Sequence, residues 1–183
     1  MNRLCLFLTL GMTLLLASSA IAEPQPWRDL LAQRLPEYGH RNWIVVADSA
    51  YPKQSAPGIE TIATGEDHLV VLEEVLRAVA DAKHVRPVVM LDAELTAVEE
   101  EHAPGVQQYR EKLKGILGET PSRTMPHEGI IAKLDEGARV FNVLVLKTNL
   151  DVPYTSVFIQ LDCGYWSAEE EKVLRESMED SGK

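Results

Sequence analysis

Short, uninterrupted runs of apolar residues are the feature of this sequence that most constrains its fold. Four of these runs are rich in β-branched side chains, namely Trp43–Ala47, Pro87–Leu91, Val140–Leu146 and Ser156–Leu161. A strand without alternation of polar and apolar residues is typical of a sheet that is covered on both faces. The runs therefore predict a buried central sheet, and Ile59–Ala63, which alternates weakly, is a further strand candidate.

Helical patterns separate these runs. The clearest is Glu66–Lys83, where apolar residues recur every three or four positions. The other predicted helices are Trp27–Tyr38, Pro104–Leu117, His127–Gly137 and Ser167–Glu176. Strands that alternate with helices predict a single three-layer α/β domain with a C-terminal helix. The last two predicted strands have no helix between them, and a short connection of this kind is able to join antiparallel strands. A mixed sheet is therefore compatible with the pattern.

The first 22 residues have the pattern of a secretory signal peptide. Arg3 is their only charge, an apolar run follows it, and an Ala-x-Ala sequence ends at Ala22. The apolar run is shorter than the roughly 20 residues that a membrane helix needs. We expect cleavage after Ala22, a periplasmic or secreted product without a membrane anchor, an α/β domain over residues 23–164 and a helical extension over 165–183.

The charge balance and the absent motifs exclude several classes of function. The 183 residues carry 28 acidic against 18 basic side chains, a formal net charge of −10. An acidic chain is a poor partner for nucleic acids and for anionic membrane surfaces. The sequence also lacks the motifs of dinucleotide-binding proteins, P-loop proteins, esterases and zinc metalloproteases. The standard interpretations based on these motifs therefore lack their signatures, and we expect no metal ion.

Four residues are candidates for a site, because ligands bind α/β sheets where strands end. Asp48 follows the first predicted strand, His40 precedes it, His127 opens a helix and Tyr154 precedes the last strand. Histidine transfers protons near neutral pH, and tyrosine donates hydrogen bonds or stacks on a sugar ring. Each also has a structural alternative: a loop-capping Asp, solvent-exposed histidines and a packed strand-end Tyr.

The order of four sequence blocks resembles the D-ribose pyranase / L-fucose mutarotase family. The first block is Gly39–Pro52, in which Gly-His, an apolar strand and an Asp-Ser-Ala-Tyr-Pro turn follow one another. The others are Pro87–Met90 with Val106–Arg110, the His127-Glu128 pair, and Pro153–Ser156. The resemblance extends from about Leu30 to Gly164, which is most of the chain after the signal peptide.

The resemblance implies an activity. Members of this family interconvert ring forms or anomers of free monosaccharides without a cofactor or metal. The resemblance gives His40 the role of principal acid or base, and Asp48 that of its orienting partner or a sugar ligand. His127 would be a second proton donor or sugar ligand, and Tyr154 a contact for a sugar hydroxyl.

The resemblance also implies an assembly. Family members form pentamers or decamers with sites at subunit junctions, so that the site served by Tyr154 would take His40 from a neighbouring copy. Ser156 is the candidate sugar contact at a position where the family has Asn. This substitution and the added C-terminal tail keep an alternative open, a non-catalytic periplasmic sugar-binding or oligomeric scaffold protein with the same fold.

Overall fold

The computed structural model describes residues 26–181, so the predicted signal peptide lies outside the described residues. The helices of this part are α1 (Pro26–Arg34), α2 (His68–Asp81), α3 (Val106–Leu117), α4 (His127–Gly137) and α5 (Ala168–Ser181). The strands are β1 (Trp43–Ala47), β2 (Ile59–Ala63), β3 (Val85–Asp92), β4 (Ser122–Met125), β5 (Val143–Lys147) and β6 (Val157–Cys163). Within residues 26–181, no helix is long and apolar enough to cross a bilayer.

All six strands of the described chain join one sheet in the order β2-β5-β1-β6-β3-β4. β5 pairs in parallel with β1 and β2, and β3 pairs in parallel with β4. β6 lies antiparallel between β1 and β3. The predicted mixed sheet is therefore confirmed. We call the edge where the other five strands end, and where β6 begins, the carboxyl edge, and the opposite edge the amino edge.

Helices cover both faces of the sheet. Ile44 and Val46 on β1 pack in one core with apolar residues of α1, α2 and α3. Trp43 and Val45 point to the other face, where they pack with Ile130 and other residues of α4. Every residue of β1 is buried, which explains why its sequence is uniformly apolar. The predicted three-layer α/β architecture is confirmed.

α5 lies outside both cores. None of its residues up to Asp180 is buried, and a capping box precedes and opens the helix. The Ser167 hydroxyl accepts from the Glu170 N–H at 3.1 Å, and the Glu170 carboxylate accepts from the Ser167 N–H at 2.6 Å. α5 continues to Ser181, beyond the predicted end at Glu176.

β5 and β4 differ most from the expectation, whereas β3 and β6 differ only by one or two residues at their ends. β5 begins at Val143 and not at Val140, because residues after α4 still make helix-type bonds, such as Phe141 N–H to the Gly137 carbonyl at 2.8 Å. β4 was not predicted from the sequence. Its first three residues, Ser-Arg-Thr, are polar and exposed, and parallel pairing with β3 at one end of the sheet holds the strand in place.

Candidate functional site

Asp48 and Ser156 meet at the carboxyl edge. β1 and β6 are antiparallel neighbours, so the residue after β1 lies beside the residue before β6. The Ser156 hydroxyl donates to Asp48 Oδ2 at 2.8 Å and accepts from the Asp48 N–H at 3.2 Å. Asp48 Oδ1 accepts from the Ala50 N–H at 2.9 Å. The carboxylate is thereby held half-buried, and Ser156, only 2% exposed, acts through Asp48.

A second carboxylate, which sequence reasoning missed, lies at the same edge. Asp92 ends β3, and its Oδ2 lies 2.9 Å from Nδ1 of His127, the first residue of α4. The Asp92 side chain is fully buried, whereas the His127 side chain is 32% exposed. Burial raises the pKa of Asp92, and the hydrogen bond from His127 opposes that rise. The pair joins a buried acid to an imidazole that solvent can reach.

Glu94 fixes the backbone of His127. Both of its carboxylate oxygens accept from the His127 N–H, at 3.0 and 3.1 Å. Pro126 precedes α4 and offers no side-chain cap, so Glu94 supplies the missing acceptor from a different segment. Its pKa is lowered by hydrogen bonds from its own backbone and from that of His127. The signal for Asp92 and Glu94 was present in the sequence, because acidic residues follow a buried strand there, as Asp48 does after β1.

Tyr154 lies against His127. The two ring centroids are 5.8 Å apart, with an interplanar angle of 78°, and 41% of Tyr154 is exposed. Tyr154 has φ of 58°, in the left-handed region that bulky residues rarely adopt. Strained backbone of this kind persists where the surroundings hold it, and it is enriched at functional sites. The turn therefore presents the aromatic ring beside the imidazole at the surface.

His68 is a buried histidine that contacts β1 next to the carboxyl edge. It is fully buried, and its Nε2 donates to the Val46 carbonyl at 3.1 Å. Its Nδ1 lies 3.3 Å from the Tyr109 hydroxyl, which also donates to the Thr155 carbonyl at 2.9 Å. Burial lowers the pKa of His68 to about 4, so the ring is neutral at pH 7. This chain of contacts ties β1 to the segment that enters β6.

His40 lies at the other edge of the molecule. It precedes β1 and is exposed, in a cleft of about 790 Å³ that it shares with His84, Asp162 and Trp166. Two further residues and the five residues of β1 lie between His40 and Asp48, and β1 alone spans about 16 Å at the usual rise of a strand. The expectation that Asp48 orients His40 is therefore wrong within one chain, since a hydrogen bond spans about 3 Å.

Four of the five predicted site residues do gather at the carboxyl edge. Asp48, His127, Tyr154 and Ser156 lie there with Asp92, while His40 does not. The arrangement offers an imidazole for proton transfer and a carboxylate and a phenol for hydrogen bonds. Between residues 26 and 181, no group of three or more His, Cys, Asp and Glu side chains is arranged to hold a metal ion.

No protein-family model matches the chain, and no curated protein does. Among solved structures, Bacillus subtilis RbsD complexed with D-ribose is similar, with a TM-score of 0.50 and 21% identity, covering 73% of this chain and 91% of that chain. The fucose mutarotase from Streptococcus pneumoniae, in complex with L-fucose, has a TM-score of 0.49 and 18% identity, over 73% and 91% of the two chains. The likeness to RbsD confirms the fold that the sequence resemblance implies.

Proposed function

We propose that this chain, which has the fold of Bacillus subtilis RbsD, interconverts ring forms or anomers of a free monosaccharide by acid–base catalysis. The observation that carries the proposal is the group at the carboxyl edge. A half-exposed imidazole, His127, lies beside an exposed phenol, Tyr154, at the edge where Asp48 is also held. The RbsD structure of the same fold holds D-ribose, which is a neutral sugar, and an acidic chain suits a neutral substrate.

The chemistry requires two proton transfers. Ring opening removes the proton of the anomeric hydroxyl, forms the carbonyl, and breaks the bond between the anomeric carbon and the ring oxygen, which takes up a proton. Closure on the other face, or by another hydroxyl, reverses these steps and gives the new ring form. A histidine suits either transfer at neutral pH. Positioned acid–base groups contribute about 10²–10⁴-fold, which is sufficient for a reaction that already proceeds slowly in water.

Asp48 and Tyr154 are the proposed sugar contacts. The Asp48 carboxylate, fixed by Ser156, retains lone pairs that can accept from sugar hydroxyls. Tyr154 offers a hydroxyl and an exposed ring face. Ser156 contributes by orienting Asp48, because its hydroxyl already donates to the Asp48 carboxylate and accepts from the Asp48 N–H.

His40 is the proposed contribution of a second copy. A homo-oligomer that brings the amino edge of one copy to the carboxyl edge of the next would unite His40 with His127 in a single site. The exposure of His40 and the cleft beside it support this arrangement. A pentamer or decamer is the assembly implied by the sequence resemblance. We also propose, from the pattern of residues 1–22, that the mature protein is periplasmic or secreted.

Exchange spectroscopy tests the proposal. Saturation-transfer NMR on D-ribose, L-fucose and other aldoses measures the rate at which ring forms interconvert, with residues 23–183 and with the His40→Ala variant. We expect the wild-type protein to accelerate exchange for at least one sugar and the variant to lose that acceleration. Exchange no faster than in buffer for every sugar would overturn the catalytic proposal.

One observation favours a second candidate, a sugar-binding or scaffold protein without catalysis. Ser156 is buried and fully engaged with Asp48, where the resembled family has a longer Asn that contacts sugar. The carboxyl edge therefore lacks one polar group that the resembled family presents to its ligand. Calorimetry that detects binding of a sugar, together with unaccelerated ring exchange, would favour this candidate.

A further inference from the structure

Asp92 is a buried carboxylate whose hydrogen bonds replace only part of its lost hydration. Its side chain has no exposed surface, and Oδ1 has no hydrogen-bond partner, while Oδ2 meets only His127. Burying an ionised carboxylate costs several kcal/mol unless hydrogen bonds replace the lost water. An apolar side chain would fill the end of β3 at lower cost. The position therefore calls for an explanation beyond packing.

The contact with His127 explains why a carboxylate is buried at this position. An ionised carboxylate only accepts hydrogen bonds, so the 2.9 Å contact requires the proton on Nδ1 of the imidazole. The remaining nitrogen, Nε2, then carries the lone pair. Glu94 fixes the backbone of the same residue through its N–H. His127 is thus held at both its backbone and its ring, by two carboxylates from the end of β3 and the turn after it.

We infer that Asp92 is a positioning residue that holds His127 in the Nδ1–H tautomer, so that Nε2 is the atom that exchanges protons with the sugar. This inference rests on the proposed function and deepens it, because it identifies which nitrogen reacts. Nε2 accepts the anomeric proton while the carbonyl forms and the ring C–O bond breaks, and a second acid or water protonates the ring oxygen. The imidazolium formed in this step lies against the Asp92 carboxylate, which stabilises it.

The charges around Asp92 shift its pKa. Glu94 and Asp48 are the other acidic groups that act on it, and both raise its pKa, whereas His127 lowers it. Burial is the largest cause of the raised pKa. Asp92→Asn removes the charge of this carboxylate from beside His127. We therefore expect it to change the pH profile of sugar exchange, which a merely structural role of Asp92 would leave unchanged.

The direct test observes the tautomer and needs no activity. Long-range ¹H–¹⁵N NMR on the chain of residues 23–183 at pH 7, with His127 assigned by its absence in His127→Gln, distinguishes the two tautomers. We expect Nδ1–H for His127 in the wild-type protein. Asp92→Asn, which is isosteric and offers an amide donor to Nδ1, is expected to shift the ring to Nε2–H. Asp135→Asn, an exposed change on the same helix, is the matched control and should leave the tautomer unchanged.

The kinetic test uses the same variants. Asp92→Asn is expected to lower the exchange rate by up to about 10²–10⁴-fold, because the wrong tautomer removes the reactive lone pair of a group that contributes that much, and Asp92→Glu is expected to recover part of the rate. Nε2–H in the wild-type protein, or an unchanged tautomer in Asp92→Asn, would overturn the inference. An inactive wild-type protein that still shows Nδ1–H would instead count against the proposed function, so the two failures are distinguishable.

Discussion

The two edges of the sheet contain similar residue types and use them differently. At the carboxyl edge, carboxylates follow β1 and β3 and are buried or half-buried, each bonded to a defined partner such as Ser156 or His127. At the amino edge, His40 is exposed, and Arg86 pairs with Asp162 at the surface. Only at the carboxyl edge does a buried carboxylate contact an imidazole that solvent can reach, as acid–base catalysis requires.

The difference shows how chain order relates to spatial order in an α/β sheet. Residues that follow neighbouring strands meet at one edge, whereas residues that flank a single strand are kept apart by its length. The Gly-His and Asp that bracket β1 look like one motif in the sequence, yet they lie at opposite edges. A site that uses both of them requires two copies of the chain.

Substitution of His127 is expected to have the largest effect and is the strongest test of the difference between the two edges. If the carboxyl edge carries the proton transfer, His127→Ala lowers the rate of sugar ring exchange about 10²–10⁴-fold. His102→Ala, at an exposed position in the loop before α3, is the matched control and should retain the wild-type rate. An exchange rate within twofold of wild type for His127→Ala would contradict the assignment. Saturation-transfer NMR measures both variants.

The buried His68 predicts a pH-dependent stability of the carboxyl edge. This histidine has a pKa near 6.5 in the unfolded chain, whereas burial lowers its pKa to about 4 in the folded chain. Below pH 6.5 the unfolded state binds more protons, so stability is lost as the pH falls, by about 3 kcal/mol in total.

Urea unfolding at pH 4, 5.5 and 7 measures this loss. His68→Gln should lower the stability at pH 7 and flatten the pH dependence, while His102→Gln should keep the wild-type slope. A His68→Gln variant with an unchanged slope between pH 4 and 7 would show that another group causes the loss.

The bond between Ser156 and Asp48 predicts a smaller effect. Ser156→Ala removes a donor to the carboxylate and an acceptor of the Asp48 N–H. Since one such hydrogen bond contributes about 0.5–1.5 kcal/mol, we expect kcat/KM for sugar exchange to fall roughly three- to tenfold. Ser49→Ala, which removes an exposed bond to Asp151, is the control. Equal effects of the two substitutions would deny Ser156 a special role.

Deleting residues 165–183 should have the smallest effect on the folded domain. No residue of α5 up to Asp180 is buried, so the predicted domain over residues 23–164 should keep its stability to within about 1 kcal/mol. Urea unfolding of the shortened chain checks this expectation. A loss of several kcal/mol would show that the amino edge depends on α5 and that the predicted domain boundary is wrong.

Burial explains how much of the fold the sequence predicts. β1 and β6 are covered on both faces, so their apolar runs mark them without any knowledge of their partners. β4 carries no such mark, because its polar residues are exposed and its pairing with β3 supplies the order. The start of β5 was placed too early because the apolar Val140, 76% exposed, extends the run into the turn after α4.

The site was predictable only in part, for a related reason. Asp48 and Tyr154 are marked by their places at strand ends. The pairing of Asp92 with His127 depends on which strands are neighbours, since it joins the end of β3 to the helix that follows β4. Sequence order alone does not contain that adjacency. The separation of His40 from Asp48 likewise follows from the extended conformation of β1.

The most direct test of a site shared between the two edges is the mixing of two inactive chains. In the proposed homo-oligomer, His40→Ala and His127→Ala chains that are co-expressed in equal amounts would give some junctions that pair an intact His40 with an intact His127. With random assembly we expect recovery to about a quarter of the wild-type exchange rate, because each such junction needs one intact edge from each copy. No recovery above the separate variants, while the wild-type protein is active, would contradict the shared site.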